Sequence, residues 1–288
     1  MKKFTKVTLM TAGICLVLGL MITIIAGVMG GFKLLTNDGF LYIGPKGVNI
    51  NPPFIGTIGT AKDTEKIDEN ELKNVTELPY SKKDVANLDI EAGAVILRVV
   101  ESSNDAFKIA SNNKALTVRH DLKGNTLKIE AGERKKKLFD NARGSVVVIA
   151  VPKGIEFNDV KITSAAGEFK YLPLKAKHVE LEVAASDATF EGIVAEDITI
   201  SVGAGNLQID KLFAKDIDIE IGMGNADIVL DGDKKDYNYN VEVAMGNLDI
   251  DNEKYSNLAA EKSIDNDADK DIDIEVGMGN VTLKYDGE

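Results

Sequence analysis

The sequence has little of what usually stabilises a bulky fold: one cysteine, no tryptophan and only 6% aromatic residues. The cysteine, Cys15, lies inside an apolar N-terminal run, so no intramolecular disulfide can stabilise the rest of the chain. Without many large aromatic side chains, a core must be built from Ile, Val, Leu and Ala. Such a core suits thin stacked layers better than a thick globule.

Basic residues are fewer than acidic ones, 34 against 46. The 288 residues carry a formal net charge of −12 at pH 7 and a sequence pI of about 4.8. Nucleic acids are bound by basic surfaces that release counterions from phosphates, so this composition argues against a nucleic-acid partner. An acidic, solvated surface is expected.

The N-terminal segment from Val7 to Phe32 contains no charged residue. As a helix it would be about 39 Å long, enough to cross a hydrocarbon core of about 30 Å with some tilt. A cleaved signal peptide is the alternative, although its apolar region is only about 7 to 15 residues long. Three lysines precede the segment and only Lys33 closely follows it. The sequence therefore predicts a single-pass membrane protein with residues 1–6 in the cytoplasm, a transmembrane helix at 7–32 and the rest outside.

Residues 33–84 are rich in Gly, Pro and charge and show no sustained apolar periodicity, which predicts a linker or stalk with one short strand near residues 40–43. From Val85 onward apolar and polar residues alternate, as strands require. Residues 85–288 are therefore predicted to form the extracytoplasmic domain.

A repeat decides the predicted fold of this domain. Equivalent positions are spaced by 19 residues three times, and then by 22 and 33. One unit cannot cover its own apolar side, but units stacked at about 4.8 Å pair their backbones and align Ile and Val in a narrow core. The sequence predicts an all-β fold, a single-stack parallel β-solenoid with coils of about 19 residues. The extra residues are expected in loops at 231–236 and 252–269. The six segments begin at Ile162, Leu181, Ile200, Ile219, Val241 and Ile274.

Each of the later units ends in a Gly-Asn pair. These glycines predict a corner that needs either a positive φ or a close backbone approach, and the asparagines are expected to stack and hydrogen-bond along the coils. This predicts a structural role for the pairs in preference to a ligand-binding one. The pairs are Gly205 and Asn206, Gly224 and Asn225, Gly246 and Asn247, and Gly279 and Asn280.

A resemblance to a known family rests on two features: the early strands at residues 88–94, 126–130 and 146–152, and the Gly-Met-Gly-Asn repeats that follow them. From about Leu88 to Glu288 the chain resembles the bacterial "putative adhesin" family, domain of unknown function 4097. The resemblance implies an envelope-associated β-solenoid, with adhesion as the family's label. No catalytic residue pattern comes with it.

The common catalytic and metal-binding patterns are absent from the sequence, and His120 and His178 have no neighbouring nucleophile or cysteine. The acidic loop at residues 265–271 begins like a calcium loop, but Lys270 and Val276 stand where that loop needs its glycine and its bidentate glutamate. We therefore expect a protein that is not an enzyme and has no cofactor or metal. A carbohydrate-cleaving enzyme that uses scattered acids remains an alternative.

Two charged features are candidate contacts. Four glutamates at equivalent repeat positions predict a like-charge column that attracts cations diffusely, and a basic run predicts contact with an anionic wall polymer or lipid headgroup. A solvated loop is the alternative for the basic run. The glutamates are Glu182, Glu220, Glu242 and Glu275, and the basic run is Arg134, Lys135, Lys136 and Lys137.

Together these features predict a membrane-anchored module that presents a rigid face to a cell-wall polymer or a protein partner. The alternative is a regulatory envelope-stress protein that acts through a membrane partner. Because only about six residues precede the predicted helix, such a signal would have to pass sideways within the membrane.

Overall fold

The computed structural model describes residues 42–44, 47–49, 74–102, 105–113, 116, 118–132, 145–255 and 260–287. This part of the chain is all-β, as predicted, with a single 3-10 turn at Lys234–Asp236. No helix within it is long and apolar enough to span a membrane. The predicted cytoplasmic residues 1–6 and transmembrane helix at 7–32 lie outside the described residues.

The first eight strands form the N-terminal part: β1 (Tyr42–Gly44), β2 (Gly47–Asn49), β3 (Asn74–Ser81), β4 (Asn87–Glu101), β5 (Ala106–Ser111), β6 (Val118–Lys123), β7 (Thr126–Ala131) and β8 (Val146–Val151). The remaining strands carry the repeats: β9 (Phe157–Tyr171), β10 (Leu174–Phe190), β11 (Ile193–Val194), β12 (Asp197–Val202), β13 (Asn206–Phe213), β14 (Asp216–Ile221), β15 (Asn225–Leu230), β16 (Tyr237–Val243), β17 (Asn247–Ile250), β18 (Glu253–Tyr255), β19 (Ala260–Ile264), β20 (Lys270–Val276) and β21 (Asn280–Tyr285). β1 and β2 form a separate antiparallel pair.

Period-two alternation places the core. In β12 the side chains of Ile198, Ile200 and Val202 are buried, while Thr199 and Ser201 between them point outward. The equivalent strands repeat this pattern, and their Ile, Val and Leu side chains join one continuous core cluster. Each repeat thus contributes a rung, which we define as the strands of one repeat at one level of the stack.

Consecutive rungs pair in parallel and in register over the 19-residue steps. Ile162 of β9 lies beside Leu181 of β10, which lies beside Ile200 of β12, and Ile200 lies beside Ile219 of β14. The second strands follow the same order, with β10 beside β13 and β13 beside β15. The paired aliphatic side chains of these rungs therefore lie directly beside one another.

The last two rungs are not stacked in the order of the sequence. β14 and β15 pair with β20 and β21, and it is β20 and β21 that pair with β16 and β17. Residues 270–285 are thus inserted between the rung at 216–230 and the rung at 237–250. The predicted loop at 231–236 connects the rung at 216–230 to the terminal rung at 237–250. The predicted loop at 252–269 connects the terminal rung to the inserted one and contains β18 and β19.

The N-terminal end is folded back in a similar way. β4 pairs in parallel with β9 on one side and with β7 and β8 on the other, so residues 87–101 form a rung and β7 and β8 lie beyond it. β3 pairs antiparallel with β5, and β5 with β8. β3 (Asn74–Ser81) is part of this sheet, although its residues fall in the range predicted from the sequence to be a linker.

The sheet is mixed, so the expectation of a wholly parallel stack is wrong at both ends. β6 pairs antiparallel with β7 at one end, and β18 and β19 pair antiparallel with β17 and β16 at the other. A stack of parallel rungs leaves unpaired backbone groups on its terminal strands, which invite edge-to-edge association. Short antiparallel strands with charged side chains cover these edges.

The glycines of the Gly-Asn pairs serve close backbone approach. None of the four has a positive φ. A Cβ at Gly205, Gly224, Gly246 or Gly279 would overlap a carbonyl oxygen of the adjacent rung, respectively that of Ser186, Gly205, Gly279 or Gly224. Glycine lets successive corners approach to the spacing that the strands on either side require.

We expect Gly279→Ala to destabilise the fold by about 2 kcal/mol or more, because the added methyl group must push two paired rungs apart. Gly192→Ala is the matched control, since its Cβ would meet only ordinary contacts, the nearest at 3.8 Å. Urea unfolding of both variants measures the difference. Equal stability of the two variants would contradict the close approach.

Candidate binding face

The four asparagines of the Gly-Asn pairs lie in one hydrogen-bonded ladder. Asn247 donates its amide N–H to Asn280 at 2.8 Å, Asn280 donates to Asn225 at 2.7 Å, and Asn225 donates to Asn206 at 2.8 Å. Asn206 donates to the carboxylate of Asp187 at 2.6 Å. All donors point the same way and end on an anion, an arrangement in which each bond polarises the next.

The ladder shows the inserted rung directly. The order of the repeats in the sequence predicts that Asn225 and Asn247 are neighbours. They are not, because Asn280 lies between them. The side chains are exposed and bonded to one another. The amides of the ladder therefore hydrogen-bond to one another along the stack.

On the first strands of the rungs, acidic side chains form columns. The pentapeptide Asp-Ile-Asp-Ile-Glu occurs twice, at 216–220 in β14 and at 271–275 in β20, and the inserted rung places the two copies side by side in register. We call the six carboxyl groups of these copies the acidic face. Its residues are Asp216, Asp218, Glu220, Asp271, Asp273 and Glu275.

Columns of like charge extend beyond the acidic face. Asp197 lies beside Asp216, and Glu242 lies beside Glu275. Of the predicted glutamate column, Glu220, Glu275 and Glu242 are consecutive, while Ser201 separates Glu182 from Glu220. Like charges directly opposite one another on neighbouring strands are destabilising.

The other half of the same surface is neutralised by lysines. Lys161 lies 2.6 Å from Glu180 and 3.2 Å from Glu182, and Lys128 lies 2.5 Å from Glu91. Within the described part of the chain, no residue of the acidic face has a basic group within 4.0 Å. Negative potential is therefore concentrated at the C-terminal rungs.

The pKa values reflect this crowding. Partial burial, followed by repulsion from Asp273, raises the pKa of Asp218. Burial also raises the pKa of Glu220, with further repulsion from Glu275 and Asp218, and that of Glu275, with repulsion from Glu242 and two aspartates. Their charged forms are disfavoured unless positive charge is supplied from outside.

Amides border the acidic face on the terminal rung. Asn238 donates to Asp271 at 3.1 Å and Asn240 donates to Asp273 at 2.8 Å. Beside them is a shallow depression of about 400 Å³ that exposes carboxylates and the Asn240 amide over the aliphatic strands. Its lining residues include Asp197, Thr199, Asp216, Asp218, Asn240, Asp271 and Asp273. This chemistry suits positively charged groups presented along an extended surface.

Neither histidine joins a catalytic arrangement. His178 lies 2.6 Å from Asp197, and the ring of His120 packs edge-on against Tyr80 with 6.0 Å between centroids. In the described residues no three His, Cys, Asp or Glu side chains are arranged to hold a metal ion. The basic run Arg134–Lys137 lies outside the described residues.

The aspartates of the acidic face were missed from the sequence, although the glutamates were found. The signal was present, since the repeated Asp-Ile-Asp-Ile-Glu marks two rungs with the same outward side chains. What the repeat alone does not show is that the two copies are adjacent, because the rung at 237–250 lies between them in the sequence.

The domain matches a known family. The family model described as Toastrack DUF4097 matches residues 85–229, which is half of the chain. A comparison with curated proteins found no match.

Several solved structures align with most of the chain. One is described as a "putative cell adhesion protein" from Clostridium sporogenes, with 14% identity, 74% of this chain and 99% of that chain covered, and a TM-score of 0.38. A "putative adhesin" from Parabacteroides distasonis has 13% identity, with 73% of this chain and 97% of that chain covered, and a TM-score of 0.35. A "putative lipid binding protein" from the same organism has 12% identity, with 72% of this chain and 96% of that chain covered, and a TM-score of 0.22.

The raised pKa values predict a pH-dependent stability. A carboxyl whose pKa is higher in the folded chain binds its proton more tightly there, so it favours folding at low pH and loses that effect as pH rises through the folded pKa. The variant Asp218→Asn, Glu220→Gln, Glu275→Gln should therefore be more stable than the wild type by roughly 1 kcal/mol near pH 7. The gap should shrink as pH falls through the raised pKa values of the wild-type groups, because these groups then bind protons.

Urea unfolding across this pH range measures the gap. Asp227→Asn, on the second strands, is the control and should show no comparable change with pH. A triple variant that is no more stable than the wild type near pH 7 would show that charge repulsion on the acidic face does not destabilise the fold.

Proposed function

The chain belongs to the Toastrack DUF4097 family, and from that premise we propose that it is a non-enzymatic binding module of the cell envelope. In this proposal residues 7–32 anchor the chain in the membrane bilayer and the stacked rungs stand on the extracytoplasmic side. The acidic face is the surface that meets the partner. Adhesion to a partner that presents repeated positive charges is the function that this surface supports best.

One observation carries the proposal: two identical acidic pentapeptides lie side by side, and no basic group of the described residues lies within 4.0 Å of their carboxyl groups. Side-by-side like charges cost stability, and proteins retain such costs mainly where function requires them. On other rungs of this protein the repulsion between acids is relieved by lysines, since Lys128 and Lys161 form ion pairs with neighbouring glutamates. The absence of such ion pairs from the acidic face, among the described residues, supports a role in binding.

The shape of the surface supports a binding role over catalysis. Outward side chains on in-register rungs repeat at about 4.8 Å, so the face offers a regular grid of carboxylates instead of a deep cleft. A basic protein surface or a polymer with repeated amines can make several weak contacts with such a grid at once. Affinity of this kind comes from multiple charge contacts and falls with added salt.

A second contact and an alternative function are also proposed. The basic run Arg134–Lys137 is a second candidate contact, for an anionic wall polymer or lipid headgroup. The regulatory alternative would instead require a partner within the membrane. Capture experiments with cell envelopes distinguish the two, since retention on walls favours adhesion and recovery of a membrane protein favours regulation.

Retention of the full chain on immobilised poly-lysine tests the acidic face. The variant Asp218→Asn, Glu220→Gln, Asp273→Asn, Glu275→Gln removes four charges from the face, and we expect it to elute at clearly lower salt than the wild type. The control Glu191→Gln, Asp210→Asn, Asp227→Asn, Asp249→Asn removes four charges elsewhere. It should elute close to the wild type, because binding depends on the crowded face and not on net charge.

Equal elution of the two variants would show that only net charge matters and would contradict the proposal. Retention of the wild type on immobilised poly-glutamate to the same extent would also contradict it, since the face should be repelled by a polyanion.

A further inference from the structure

The methionines are distributed in an unusual way. The chain has seven, and the three that follow residue 29 are Met223, Met245 and Met278. All three occupy the same corner position of their rungs, directly before the Gly-Asn pair. We call them the methionine row.

The inserted rung makes the three consecutive. The backbone N–H of Met223 donates to Gly203, that of Met278 to Gly222 and that of Met245 to Gly277, each at 2.7 Å. The spatial order is therefore Met223, Met278, Met245, with Met278 in the middle.

The methionine side chains do not serve the core. They are 50%, 49% and 64% exposed for Met223, Met278 and Met245, and they are among the few large apolar side chains that the described part of the chain exposes. Earlier rungs place Ala185 and Ala204 at the same corner position. Since alanine suffices there for the fold, packing does not explain why the last three rungs carry methionine.

Thioether sulfur is a soft ligand that selects soft metal ions such as Cu(I). Equivalent positions on neighbouring rungs are about 4.8 Å apart, and a metal–sulfur bond is about 2.3 Å long. One ion can therefore bridge the sulfurs of two neighbouring methionines with little displacement of the side chains. The long, flexible methionine side chain allows the third sulfur to approach as well.

The corner that carries the row is held rigid. Gly279 follows Met278 directly and approaches the adjacent backbone closely, and Asn280 then belongs to the hydrogen-bonded ladder. The bases of the three side chains are thus fixed at one spacing before any ion arrives. A pre-organised set of ligands loses less entropy on binding.

We propose that the methionine row is a Cu(I)-binding site, with Met278 as the ligand shared by either neighbouring pair. Met223 and Met245 lie two rungs apart, at about 9.6 Å, so they cannot pair without bending toward each other across a whole rung. Met278 is therefore the residue on which binding depends most. This site is independent of the acidic face and of the proposed adhesion.

The test is a titration of the full chain with Cu(I) under reducing, oxygen-free conditions, in competition with a chromophoric Cu(I) chelator. All proteins carry Cys15→Ser, because a thiol would compete for the ion. We expect Met278→Leu to weaken binding by about tenfold or more, since even the loss of an outer-shell partner commonly costs that much. Met223→Leu and Met245→Leu should each cost less, because one pair remains.

Met21→Leu makes the same chemical change outside the row and should bind like the parent protein. X-ray absorption of the copper complex should show sulfur neighbours in the parent and fewer in Met278→Leu, and thermal unfolding checks that the variants are folded. The proposal is overturned if the parent shows no saturable binding, or if the Leu variants of the row bind as tightly as the parent. It is also overturned if Met245→Leu is the most damaging, since Met245 would then be the middle ligand.

Discussion

The structure depends on one constraint: equivalent residues of successive repeats must lie directly beside one another in register. The parallel backbone pairing, the aliphatic columns of the core and the asparagine ladder each require it. The corner glycines make it attainable, because a side chain at Gly224 or Gly279 would hold two rungs apart. A shift of one residue would turn every buried aliphatic side chain outward.

Much of this could be predicted from the sequence. Alternation showed strands, the 19-residue step showed stacked repeats, and the resemblance to the domain of unknown function 4097 is confirmed by the family match. The order of the rungs could not be predicted, because Val241–Asn247 and Ile274–Asn280 are nearly identical and either fits beside β14 and β15. The antiparallel strands at the two ends were also missed, since charged edge strands such as β6 and β19 lack a clear apolar alternation.

The inserted rung also creates the two candidate surfaces. It brings the second Asp-Ile-Asp-Ile-Glu beside the first, and it places Met278 between Met223 and Met245. Tyrosines close the core where this rung meets the terminal one: Tyr239 is buried, Tyr285 is partly buried, and their hydroxyls are in hydrogen-bond contact at 2.5 Å. Both surfaces therefore depend on the order in which the rungs stack and not on the sequence of any single repeat.

Cysteine cross-linking tests the rung order most directly. Asp227, Thr282 and Asp249 occupy the same outward position on β15, β21 and β17. In a Cys15→Ser background, a short thiol-to-thiol reagent should join cysteines at 227 and 282, and at 282 and 249, but not at 227 and 249. Efficient cross-linking of 227 to 249, with none to 282, would contradict the inserted rung and the surfaces that depend on it.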